Sequence, residues 1–171
     1  RAHKHALAAS RRAGRVSVVR ESVGITSYLT GNFALALREL RTYRRLSGSN
    51  DQLPLMVDCE RGLGRPDRGL ELAGDVDRTS LPVPVQVELA IARSGARLDM
   101  GRADLALGEL EIAQLNPDVA YSFSPALFDS YAIVLEELGR QEEADTWGER
   151  ADVAATALAG AGGDDFEDTV V

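Results

Sequence analysis

Gly31-Asn-Phe-Ala-Leu-Ala36, Gly64-Arg-Pro-Asp-Arg-Gly69, Gly101-Arg-Ala-Asp-Leu-Ala106 and Gly139-Arg-Gln-Glu-Glu-Ala144 share a glycine in first place and a small residue in sixth. The glycines are spaced by 33, 37 and 38 residues, and each lies between two apolar-periodic segments of helical length. A glycine just past a helix closes the last turn in the left-handed conformation. Asn32, Asp67 and Asp104 then stand beside the start of the next helix, where short polar side chains satisfy free amides. The small sixth residue faces the preceding helix and lets two backbones approach. Each segment therefore reads as the turn of a helical hairpin. One hairpin cannot bury its apolar face alone, so hairpins stack.

The pattern predicts helices near 4–13, 17–30, 33–47, 51–63, 66–77, 84–99, 103–115, 125–138 and 141–159, an all-α fold. Pro82, Pro84 and Pro125 suit first-turn positions, Ser124 suits a cap before Pro125, and Pro117 ends the helix before it. Leu81, Val83, Val85 and Val87 alternate as a strand would, but two interleaved prolines and the helical run from Val87 to Leu98 favour a proline-led helix.

In this pattern the chain resembles the tetratricopeptide repeat. Gly24, Gly31, Phe33, Ala36 and Leu40 fit the first full unit; Phe128, Tyr131, Ala132, Gly139, Ala144 and Ala151 fit the last. The middle units are degenerate: Val57 and Ser94 replace the small residue, and Pro66 and Ala103 the aromatic. The resemblance implies a right-handed superhelix of units at about 17–50, 51–83, 84–120 and 121–159 within a domain over 1–159. Thirty-four residues upstream of Ala36, Leu40 and Tyr43 stand Ala2, Ala6 and Ala9, so residues 1–16 read as a partial unit, the second helix of a hairpin. The sequence starts at Arg1 and is expected to be a piece of a longer or processed chain. Residues 160–171, with Gly160-Ala-Gly-Gly163 before Asp164-Asp-Phe-Glu-Asp168, read as a flexible acidic tail.

Composition narrows the function. The net charge of −8 divides unevenly: residues 1–50 carry +8 and residues 51–171 carry −16. That polarity bears on association and steering. No apolar run approaches the roughly 20 residues of a membrane span, and Cys59 is the only cysteine, so a disulfide framework is excluded and a cytoplasmic home expected.

Little supports catalysis. His3 and His5 are two residues apart and would point to different helix faces, unable to share a metal. With no further histidine, Ser-His-Asp and Cys-His arrangements fall away. Cys59 sits among apolar neighbours and reads as packing. Asp75-Val-Asp-Arg-Thr79 matches a phosphatase nucleophile motif in letters, yet lies in a helical unit where that chemistry needs a strand end. Gly62, Gly64 and Gly69 lack nucleotide-loop spacing. No catalytic, cofactor or metal residue is assigned, and the chain is not expected to be an enzyme.

The expected function is a protein-interaction scaffold. The resemblance implies a concave groove lined by the first helix of each unit. Its usual inward positions carry over to Glu21, Ile25 and Tyr28; then Asp51, Asp58 and Arg61; then Glu88, Ile91, Leu98 and Asp99; and finally Asp129, Ile133 and Glu136. This acidic and apolar set lacks the Lys/Asn/Arg group that grips acidic peptide ends. It suits a basic, partly apolar protein segment. Self-association through the basic first helix or the C-terminal tail (Phe166, Val170, Val171) fits the same charge logic. The alternatives are a nucleic-acid-associated repeat protein using Arg11, Arg12, Arg15 and Arg20, and a regulatory subunit of a neighbouring enzyme.

Overall fold

The computed structural model describes residues 2–13 and 16–164. Its regular structure is α1 (Ala2–Ala13), α2 (Ser17–Leu29), α3 (Phe33–Ser47), α4 (Leu53–Gly62), α5 (Pro66–Gly74), a 3-10 turn at Arg78–Ser80, α6 (Val83–Asp99), α7 (Ala103–Leu110), α8 (Ser124–Glu137) and α9 (Gln141–Asp164). Among the described residues there is no strand, and no helix is long and apolar enough to cross a membrane. The fold is all-α.

One turn geometry recurs four times. Gly31, Gly64, Gly101 and Gly139 have φ of 74°, 71°, 70° and 73°. In each case the glycine N–H donates to the carbonyl three residues back, and the next N–H to the carbonyl five residues back. Gly31 to Tyr28 and Asn32 to Ser27, both 2.9 Å, are the first instance; Gly139 to Glu136 at 2.8 Å and Arg140 to Leu135 at 2.9 Å are the last. These paired bonds satisfy the orphan carbonyls of a helix end. The residue after the glycine already accepts the first bond of the next helix, from Ala36, Gly69, Ala106 and Ala144 in turn. All four small residues are buried. Asn32 also caps α3, its side chain accepting from the Leu35 N–H at 3.2 Å.

The two helices of each pair run antiparallel, since their contacts are centred on the turn. Gly24 meets Leu40, Gly69 meets Val57, Arg93 meets Glu109, and Phe128 meets Trp147. The second helix of each pair then packs on the following first helix: α3 on α4, α5 on α6, α7 on α8. First helices also touch in series, α2 with α4, α4 with α6 and α6 with α8. The core follows the junctions. Leu37, Leu40, Met56 and Cys59 fill the first, Leu53, Val57, Leu81 and Leu89 the second, and Val87, Leu110, Leu127, Phe128 and Val134 the third. Helix α1 packs on α2 as α3 does on α4. Ala6 is buried there, while Ala2 and Ala9 stay exposed.

Several boundaries differ from the sequence expectation. Helix α4 starts at Leu53 instead of 51, and α5 stops at Gly74 because Asp77 caps the 3-10 turn, its Oδ1 accepting from the Thr79 N–H at 2.9 Å. That cap is the role the Asp75–Thr79 motif plays. Helix α7 ends at Leu110 and not at 115. Residues 111–123 are irregular, yet Ile112 and Leu115 still reach the third cluster. Ser124 is the first residue of α8 and not its cap: its hydroxyl donates to the Val119 carbonyl and accepts from the Tyr121 N–H. Helix α9 runs through Gly160 to Asp164, where a flexible tail was expected from 160; residues 165–171, with Phe166, Val170 and Val171, lie outside the described residues.

Candidate functional site

Arg61, near the end of α4, ties three first helices together. Its Nε donates to Asp99 Oδ2 of α6 at 2.7 Å, and its Nη1 to Asp58 Oδ1 one turn back at 2.8 Å. Asp58 Oδ2 also accepts from the Tyr28 hydroxyl of α2 at 3.4 Å. Burial alone would lower the guanidinium pKa, but hydrogen bonds to Asp99 and Asp58 raise it above the ordinary value. Tyr28 is likewise pushed up, first by burial and then by the Asp58 carboxylate.

Two glycines make this arrangement possible. A Cβ on Gly95 of α6 would lie 2.3 Å from the Arg61 guanidinium carbon, so that group occupies the side-chain space of Gly95. A Cβ on Gly62 would lie 2.4 Å from the ring of Phe33, which meets Tyr28 edge-on at 5.9 Å. Tyr28, Phe33, Asp58, Arg61, Gly62 and Asp99 line an open cleft of about 330 Å³. The two carboxylates and one guanidinium leave it with a formal charge of −1. It offers hydrogen bonds and an aromatic wall.

The other expected groove residues are distributed along the stack. Glu21 accepts from Gln52 Nε2 at 2.9 Å, linking α2 to the start of α4. Ile25 is half-buried and Asp51 exposed. Glu88 is exposed on α6, with its carboxyl raised above the usual range by desolvation. Ile91 and Leu98 are half-buried against the third core cluster. Asp129, Ile133 and Glu136 form a separate group, bordering an open groove of about 410 Å³ with Gln141, Asp145 and Glu149 of α9. The five acids Glu21, Asp58, Glu88, Asp99 and Asp129 thus do not make one unrelieved negative cluster. Asp58 and Asp99 are neutralised in part by Arg61.

A set of buried carboxylates escaped the sequence reading. Glu39 pairs with Arg20 at 2.6 Å and Arg38 at 2.9 Å; Glu60 pairs with Arg41 and Arg65, both at 2.8 Å. Glu109 pairs with Arg93 at 2.8 Å and Arg97 at 3.3 Å. These clamps join helices within and between hairpins. Glu39 and Glu109 each fall eight places after a turn glycine, Gly31 and Gly101, a register that could have revealed them. They also engage Arg20, one residue of the expected basic edge. The side chains of Arg11 and Arg12, and all of Arg15, lie outside the described residues.

The remaining sequence candidates have structural surroundings. His3 Nδ1 lies 3.2 Å from Thr26 Oγ1, and His5 is exposed. Cys59 is buried, and desolvation followed by the charges of Asp58 and Glu60 pushes its thiol up to about 12. Among the described residues no three His, Cys, Asp or Glu side chains are grouped to hold a metal ion. No known family model matches the chain, and no curated protein matches it.

Proposed function

We propose that this chain is a non-catalytic scaffold of tetratricopeptide type, whose first-helix surface receives a basic, partly apolar protein segment. The observation that carries the reading is the Arg61 bridge. It joins the first helices α2, α4 and α6 of three successive units, and Glu88, Asp129 and Glu136 are exposed further along the stack. An extended face with spaced acids and apolar steps suits a segment better than a small substrate. The recurring hairpins and their stacking order support a right-handed superhelix over residues 1–159, with the units placed as the glycines divide them. Engagement of Arg20 by Glu39 weighs against the nucleic-acid alternative.

The test is affinity capture from the native cell with the full chain and with a Glu88→Lys/Asp129→Lys variant. Both side chains are exposed, so helicity should be unchanged. A partner retained by the wild type, lost by the variant and released as ionic strength rises is expected. Identical capture by both proteins would refute the reading.

A further inference from the structure

Aligned on their turn glycines, Gly31 and Gly139, the first and last hairpins differ on the face where another helix packs. In the first, that face is Tyr28, Phe33, Leu37, Leu40 and Arg41, and α4 covers it. Met56 and Cys59 meet Leu37 and Leu40, Gly62 meets Phe33, Asp58 meets Tyr28, and Glu60 meets Arg41 at 2.8 Å. The same places in the last hairpin hold Glu136, Gln141, Asp145, Gly148 and Glu149. These residues, with Asp129, Ala132, Ile133 and Ala144, line the open groove between α8 and α9. Its floor is small and apolar, and Ile133 is 47% exposed. Among the described residues Asp129, Glu136 and Glu149 form no salt bridge, and Asp145 accepts a hydrogen bond from Gln141 at 2.8 Å.

We propose that the α8–α9 groove docks a basic amphipathic helix of a partner protein, laid in as α4 is laid on α2 and α3. This deepens the scaffold reading and rests on it. Charge decides the occupant. Where Arg41 receives Glu60, the groove offers Glu149; where Tyr28 receives Asp58, it offers Glu136. A helix carrying Lys or Arg at those two places, two residues apart, with small apolar residues on the Met56 and Cys59 row, is complementary. The chain's own terminal segment Asp164-Asp-Phe-Glu-Asp168 is acidic and would be repelled.

The test uses the full isotope-labelled chain and a synthetic peptide of residues 50–63 with Asp58→Arg and Glu60→Arg. Leu53 and Val57, which face α5 and α6 in the protein, are replaced by a Lys–Asp lactam bridge that holds the peptide helical. Saturable amide shifts at Ala132, Ile133, Ala144 and Gly148 are expected. Affinity should fall at least tenfold for the peptide that keeps Asp58 and Glu60, and for the Glu136→Lys/Glu149→Lys protein. Shifts centred on Tyr28, Asp58 and Gly95 would overturn this site while leaving a basic-segment scaffold standing. Equal affinity for both peptides would overturn the charge argument. No saturable shift anywhere would overturn the groove, leaving a solvated acidic end face, and would remove support from the scaffold reading as well.

Discussion

The guanidinium of Arg61 occupies the space that a side chain on Gly95 would fill, 2.3 Å from the missing Cβ. Gly95 therefore exchanges helix propensity for a bridge between α4 and α6. Replacing glycine by alanine inside a helix ordinarily gains about 1 kcal/mol, and the obstructing atoms belong to the flexible end of Arg61. Gly95→Ala is expected to hold or raise the melting temperature while displacing the guanidinium from Asp99. Asp99→Asn should cost about 0.5–1 kcal/mol in the wild type, as a partly exposed pair does, and close to nothing in the Gly95→Ala background. Urea denaturation of the four proteins checks this.

Gly24 behaves differently. A Cβ there would lie 2.6 Å from Leu40 Cδ2 and 2.7 Å from its Cγ, and Leu40 is fully buried. Gly24→Ala should lower stability by about 1–3 kcal/mol despite its better helix propensity, the usual cost of overpacking. A melting temperature equal to wild type would mean that α2 and α3 do not touch at this point.

Glu60 is 1% exposed and clamped by Arg41 and Arg65, whose own side chains are partly solvated. Either arginine alone can still compensate the carboxylate. Arg41→Ala and Arg65→Ala should each be mild, whereas the double variant strands a buried charge at about 3–5 kcal/mol. The double change should exceed the sum of the singles, measured by urea denaturation.

Cys59 gives a pH signature. Its folded thiol titrates at about 12 against an ordinary 9.0. The folded state holds the proton more tightly, so this contribution is complete below pH 9 and is lost as pH rises from 9 toward 12. Alkylation near neutral pH should follow unfolding and not the free-thiol rate. Cys59→Ala should flatten the alkaline decline in stability, which denaturation at stepped pH would show.

The hairpins were legible in the sequence because their signals are local. A left-handed residue is needed at Gly31, Gly64, Gly101 and Gly139, and a small residue five places later, and both are fixed by backbone sterics. Helix α7 was overextended for an equally physical reason. Ile112 and Leu115 have apolar spacing compatible with a helix, and they do reach the core, but from irregular backbone ahead of Asn116 and Pro117. The site was only half legible. Acidic positions such as Asp58 and Asp99 were visible, but that Arg61 would pair with both depends on Gly95, which is 34 residues away and silent until the units are stacked. The buried Glu39, Glu60 and Glu109 were hidden likewise, since charge counts say nothing of burial.

The first-helix surface requires the units to stack in this register, and the Arg61–Gly95 contact reports that register directly. Nuclear Overhauser spectroscopy on the full chain measures it. Cross-peaks from the Gly95 Hα and amide protons to the Arg61 side chain are expected, together with cross-peaks from the Phe33 ring to the Gly62 Hα. A spectrum in which Gly95 shows contacts only within its own helix, while α4 and α6 remain helical, would contradict the stacking and everything built upon it.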